Sequence, residues 1–197
     1  PDACKAPATT LVVLTPAVPQ EHAELTYFRD NGFEIQKRAQ VLGTITHSSK
    51  GLCVAGTHGK TTTSTMTAHL LHHSHIGCTA FLGGISKNYG TNLLLSPSSP
   101  YTVIEADEFD RSFHWLSPYM SVITATDPDH LDIYGTEQAY LESFEHYTTL
   151  IQPGGAKAFL FSLKCKRVSR FTPIHAIKET SMLKTFGLET EKSSSIL

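Results

Sequence analysis

Residues 53–64 read CVAGTHGKTTTS, and no other stretch restricts the fold as much. An apolar run, Leu52-Cys53-Val54-Ala55, enters Gly56 directly; Gly59, Lys60 and a row of threonines follow. So unbroken an apolar strand belongs in a parallel sheet covered on both faces. The segment from Thr61 to His73 predicts a helix, with Met66, Ala68, Leu70 and Leu71 available for packing. Strand, glycine turn and helix in that order form one unit of a doubly wound α/β sheet.

A turn of this kind can also bind an anion. Its backbone N–H groups point inward, and the following helix adds the partial positive charge of its N-terminus. The widespread phosphate loop GxxxxGK[ST] needs its first glycine where this chain has Val54, so that pattern is absent. Gly56-Thr57-His58-Gly59-Lys60-Thr61 is a shorter loop with the same parts. Lys60 reaches the β and γ phosphates of a nucleoside triphosphate as a point charge, and the Thr61 hydroxyl is a Mg²⁺ ligand. A glycine turn alone would be a plain connection with an exposed lysine. The ordered set of strand, GxxGKTT and helix favours nucleotide binding.

Further strands are expected at Thr79–Leu82, Tyr101–Ile104, Ser121–Ala125 and Ala158–Phe161, and a helix over 136–151 capped by Thr136 and stopped by Pro153-Gly154-Gly155. The fold expected is α/β, a doubly wound and mostly parallel sheet. Before it, Thr10–Leu14 and Phe33–Ile35 read as strands, and 21–31 and 37–46 as helices. That is too few elements for a whole open α/β domain. The divisions expected are 1–46, the tail of a Rossmann-like domain, then 47–162, an incomplete nucleotide-binding domain, and 163–197, a tail of no assigned structure.

The sheet also has acidic partners to offer. Glu105-Ala106-Asp107-Glu108 follows the strand at 101–104, and Asp127-Pro128-Asp129-His130 follows the strand at 121–125. An acidic turn is ordinarily solvated surface. Beside a phosphate loop, at the C-terminal ends of parallel strands, Glu105 becomes a candidate Mg²⁺ ligand and His130 a candidate ligand for a second ion.

Composition excludes several classes. A net charge of −2 gives no broad electrostatic attraction to nucleic acid or anionic lipid. The basic patch at Lys164, Lys166, Arg167 and Arg170 has no aromatic platform beside it, so no nucleic-acid partner is expected. No run approaches the roughly 20 apolar residues of a membrane span. Cys4, Cys53, Cys78 and Cys165 form no CxxC pair, which fits a reducing, cytoplasmic setting.

GTHGKTTT at 56–63, EADEFDRSF at 105–113 and DPDHLDIYG at 127–135 resemble, in this order, the central domain of the Mur ligases. GGISKNYGTN at 83–92 is similar to that family's sugar-nucleotide-facing loop. The resemblance covers about residues 9–156. It implies an ATP-driven ligase of peptidoglycan precursor synthesis, joining L-alanine to UDP-N-acetylmuramate through an acyl phosphate. Carried over by position, Gly56, Thr57, His58, Gly59, Lys60, Thr61 and Thr62 hold the triphosphate of ATP. Thr61 and Glu105 bind one Mg²⁺, and Glu105 and His130 serve a second. Lys60, Glu105 and His130 form the catalytic set, with His58 and Asn92 as substrate contacts. Asn92 also reads as a simple turn residue after Gly90.

The family member that attaches a recycled peptide to the same sugar nucleotide is the nearest alternative. The segment Phe113–Pro118 runs into the next strand without insertion and favours the alanine branch. A folate-linked synthetase shares the short loop, but its folate segment has no counterpart here. A non-catalytic nucleotide-binding module is the reading from another class. The glycine-rich UDP turn, the adenine-contact asparagine motif and the closing C-terminal domain of the family have no counterpart, and the resemblance is expected to stop near Ala156. A site that depends on domain closure to exclude water is then incomplete, so no ligase turnover is expected of these 197 residues alone.

Overall fold

The computed structural model describes residues 6–159. The chain opens with β1 (Leu11–Leu14), α1 (Ala23–Asp30) and β2 (Glu34–Lys37). The two strands pair in parallel, Leu11 opposite Glu34 through Leu14 opposite Lys37. Helix α1 ends at Asn31, its C-cap, and Gly32 follows at φ +70°. Leu25 is its buried residue, and Tyr27, Phe28 and Phe33 cluster beside it.

Helix α2 (Arg38–Ser48) runs two residues past its expected end, so the boundary expected at 46/47 falls inside its last turn. It also serves both units. It packs against β1 and β2, while its Leu42 joins the core below the larger sheet.

That sheet is built from β3 (Lys50–Ala55), β4 (Thr79–Ser86), β5 (Thr91–Leu94), β6 (Tyr101–Glu105), β7 (Met120–Ile123) and β8 (Ala156–Phe159). Its order is β5-β4-β6-β3-β7-β8. Every pairing is parallel except β4 with β5. Three helices complete the unit: α3 (Lys60–His72) after β3, then α4 (Leu131–Tyr134) and α5 (Glu137–Thr149) between β7 and β8. Thr136 caps α5 by accepting the Ala139 N–H at 3.1 Å.

Alternation along the strands divides the core into two layers. Cys53, Ala55 and Ile104 face Tyr140, Phe144 and Tyr147 of α5, with Phe113 and Leu42 beside them. Their neighbours Leu52 and Val103 face Ala68 and Leu71 of α3. Helices on both faces confirm the doubly wound reading.

Two features depart from the sequence expectation. Strand β4 continues through Gly83 and Gly84 to Ser86, and β5 turns back antiparallel at the sheet edge. Asn92 therefore stands on an exposed edge strand rather than in a turn. The acidic turn after β6 is also structured: Phe109–Trp115 is a tight helical segment, with Asp110 and Arg111 at φ +51° and +53°. The strand expected at 158–161 is observed at Ala156–Phe159. Its last two expected residues, and the tail at 163–197, lie outside the described residues. Among the described residues, no helix is long and apolar enough to cross a membrane.

Candidate functional site

Strand β3 sits centrally, between β6 and β7, and all three run parallel. Their C-terminal ends share one rim. The segments after them, 56–59, 105–108 and 124–130, are the three that the sequence marks as functional.

Gly56 makes the turn after β3. It stands at φ +126°, a conformation that L side chains rarely adopt, and the segment after β7 lies directly against it. A Cβ there would overlap the Thr124 hydroxyl and come within 2.8 Å of the Ala125 amide nitrogen. Gly59, at φ +81°, is the N-cap of α3, so Lys60 and Thr61 are its first residues.

The rim is cross-tied. Thr57 donates its hydroxyl to Asp127 O at 2.7 Å and its amide to Ala125 O at 3.0 Å, leaving Oγ1 to accept from Tyr140 OH at 2.8 Å. Both Thr57 donors are thus engaged inside the protein, where they brace the loop. Thr124 donates to the His58 carbonyl. The Ala106 amide donates to Val54 O at 2.8 Å, tying the turn after β6 to β3. The side chains of His58, Thr61 and Thr62 are exposed. A groove of about 440 Å³ opens beside Thr61 and Thr62, lined further by Gly84, Lys87 and Asn88 of the β4–β5 hairpin.

The two glutamates after β6 occupy different environments. The Glu105 carboxylate lies over Gly83, where any Cβ would overlap it. Its Oε2 is buried with no hydrogen-bond partner among the described residues. The next glycine of β4, Gly84, faces the Thr61 methyl, 3.7 Å from where its own Cβ would stand. Glu105 and Thr61 therefore each lie against β4, at neighbouring residues of the strand. A buried carboxylate oxygen without a partner is costly, and a divalent cation with oxygen ligands would satisfy it. The donor set fits Mg²⁺.

Glu108 instead meets Lys60. Its Oε1 accepts from Nζ at 2.9 Å, and its Oε2 lies 2.8 Å away without hydrogen-bond geometry. The pair is shielded, with side-chain exposures of 14% for Lys60 and 1% for Glu108. Burial pushes the Glu108 carboxyl up from its ordinary value, and the Lys60 contact opposes that shift.

His130 is at the same edge but in another setting. It stands at φ +53° as the N-cap of α4, its ring edge-on to Phe109 at 5.3 Å and its Nε2 3.9 Å from Asp129 Oδ2. Among the described residues, no three His, Cys, Asp or Glu side chains lie close enough together to hold a metal ion. Glu105 and His130 therefore do not form a ready-made protein cage.

Sequence reasoning missed Glu108 as the partner of Lys60, and Tyr134 and Tyr140 as braces. Tyr134 OH donates to the Glu108 carbonyl, and the Arg111 guanidinium stands 4.7 Å over the Tyr134 ring. Glu108 was at least visible in the EADE run; the tyrosines carried no signal.

A family model, the Mur ligase middle domain, matches residues 54–196. The chain belongs to the Mur ligase family. The match continues past Ala156, where the resemblance was expected to stop, although highly similar curated relatives align over 154–156 residues. Among curated Mur ligases, the UDP-N-acetylmuramate–L-alanine ligase of Phocaeicola vulgatus is 83% identical over 155 residues, 79% of this chain and 34% of that protein. The chain spans about a third of the length of the curated relatives it matches. Among solved Mur ligases, the UDP-N-acetylmuramate–alanine ligase of Thermotoga maritima superposes with a TM-score of 0.65 at 32% identity, over 76% of this chain and 34% of that one. The UDP-N-acetylmuramate:L-alanyl-γ-D-glutamyl-meso-diaminopimelate ligase of Neisseria meningitides gives 0.66 at 25%, over 76% and 51%.

Proposed function

We propose that this chain carries the ATP-binding centre of a peptidoglycan precursor ligase that joins L-alanine to UDP-N-acetylmuramate. One observation carries the reading. A glycine turn at the end of the central parallel strand presents Lys60 beside a shielded carboxylate, while a second carboxylate, Glu105, keeps an unpartnered buried oxygen over Gly83 of β4.

Exposed His58, Thr61 and Thr62, with the start of α3, receive the triphosphate. Lys60 neutralises charge on the transferring phosphoryl group. A carboxylate oxygen of UDP-N-acetylmuramate attacks the γ-phosphorus, and the bond to the bridging oxygen breaks to release ADP. The L-alanine amine then adds to the acyl phosphate carbonyl and loses a proton, and phosphate leaves with the C–O bonding pair. Mg²⁺, when bound, would be held by Thr61 and Glu105 and would offset phosphate charge, with His130 beside a second position. Phosphate oxygens and water complete such a shell, so a three-residue protein cage is not required. Asn92, exposed on the edge strand beyond the groove, is assigned to the sugar-nucleotide side, and a cytoplasmic location fits nucleotide substrates.

The recycled-peptide ligase is the second reading. The two superpositions, at 0.65 and 0.66, do not separate the two activities, whereas the 83% identical relative supports the alanine branch. Phosphate release by the full-length enzyme, measured with ATP, UDP-N-acetylmuramate and either L-alanine or the tripeptide, tests this. Release that requires L-alanine is expected. Release only with the tripeptide supports the second reading, and ATP binding without release under either condition supports a non-catalytic module.

A further inference from the structure

The Lys60–Glu108 pair is not an ordinary surface bridge. Shielded ion pairs contribute little net stability, because desolvation offsets their attraction, and well-packed apolar residues often replace them without loss. Folding alone therefore gives no reason for a glutamate with a 1% exposed side chain at this spot. The turn that carries it is held in costly geometry: Asp110 and Arg111 adopt left-handed backbone conformations that L side chains rarely take. Several contacts hold it in that shape. Tyr134 OH fixes the Glu108 carbonyl, the Phe109 amide donates to Asp107 Oδ1 at 3.2 Å, and Arg111 covers Tyr134. The carboxylate that results is fixed in place beside a lysine whose side chain would otherwise sample many rotamers.

We propose that Glu108 is a positioning residue for phosphoryl transfer, holding the Lys60 ammonium at the mouth of the glycine turn before and during nucleotide binding. The ammonium carries more donors than Glu108 Oε1 takes, so Lys60 can contact a phosphate oxygen without leaving Glu108. The two glutamates of the EADE run thus divide the work: Glu105 serves the cation, and Glu108 serves the lysine.

This inference rests on the ATP-binding reading above, and its test separates the two. In the full-length enzyme, Glu108→Ala is expected to lower kcat for phosphate release about 100-fold, the scale of a misplaced catalytic group, with little change in KM for L-alanine. Glu108→Gln keeps an acceptor oxygen and the side-chain shape, so it should recover about tenfold of that loss. In a Lys60→Ala background, Glu108→Ala should change kcat by no more than about twofold, because Glu108 acts only through Lys60. A merely structural glutamate would instead add its full effect in that background. A folded Glu108→Ala or Glu108→Gln enzyme with wild-type kcat, or additive losses in the double variant, overturns the proposal. If Glu108→Ala does not fold, the isosteric Glu108→Gln decides. If the wild type releases no phosphate with the named substrates, the proposed substrates fail, and ATP affinity becomes the readout, with the same non-additivity expected. A wild type that binds no ATP overturns both.

Discussion

The two strand-and-helix units of the described chain are written in similar residues and differ in what covers them. β1 reads LVVL and β3 contains LCVA, yet Leu11 and Val13 remain 45% and 47% exposed while Leu52 to Ala55 are all buried. Among the described residues β1 pairs only with β2, whereas β3 has parallel neighbours on both sides and helices on both faces. An apolar run therefore does not by itself make a core; the neighbours do. Only the covered unit holds a row of strand ends steady enough to set Gly56, Lys60, Glu105 and Glu108 against one another.

Matched substitutions should separate the units most sharply. Leu52→Ser removes buried apolar surface and leaves a hydroxyl among Ala68, Leu71 and Val103, so it should cost about 3–5 kcal/mol in a denaturant titration. A cost comparable to that of an exposed position would erase the contrast between the two units. Gly56→Ala follows, at about 2–4 kcal/mol, from the combined strain of its φ and the overlap with Thr124. It should also weaken ATP binding in a calorimetric titration, because the loop cannot keep its shape. Tyr140→Phe keeps the ring packed against Tyr134 and Phe144 but removes the bond to Thr57, and about 1 kcal/mol is expected in thermal melting. If Tyr140→Phe left ATP affinity and stability both untouched, the cross-ties would not be what steadies the rim.

The same contrast explains which parts of the molecule could be read from its residues. Strands β3, β6 and β7 were visible because strands covered on both faces become unbroken apolar runs, and α5 because Thr136 and Pro153-Gly154 mark its ends. Strand β5 was not, because an edge strand with only Leu94 buried carries a weak pattern and the double glycine reads as loop. Gly83 is there for the Glu105 carboxylate, a reason that lies in a neighbouring strand 22 positions along the chain. In the candidate site, Lys60, Thr61 and Glu105 follow from strand ends and glycine spacing alone. Glu108, not Glu105, meets the lysine, in a turn whose left-handed residues Asp110 and Arg111 no periodicity encodes.

The smallest effect is expected at Leu11, and it is the strictest test of the comparison. Leu11 opposes Glu34 across the parallel pair and is 45% exposed, so replacing it with serine removes contact with one neighbouring strand and little else. Surface substitutions of this kind usually fall within about 0.5 kcal/mol. Leu11→Ser should therefore leave the denaturant midpoint almost unchanged, while the chemically identical change at Leu52 shifts it strongly. Amide hydrogen exchange sharpens the point. Local opening follows the density of buried contacts, so amides of β1 and β2 should exchange well before those of β3 and β6, and Leu11→Ser should speed only the former. Equal protection in the two sheets, or a loss spreading from Leu11 into β3, would mean that α2 couples them into one cooperative unit and that exposure alone misjudges the first.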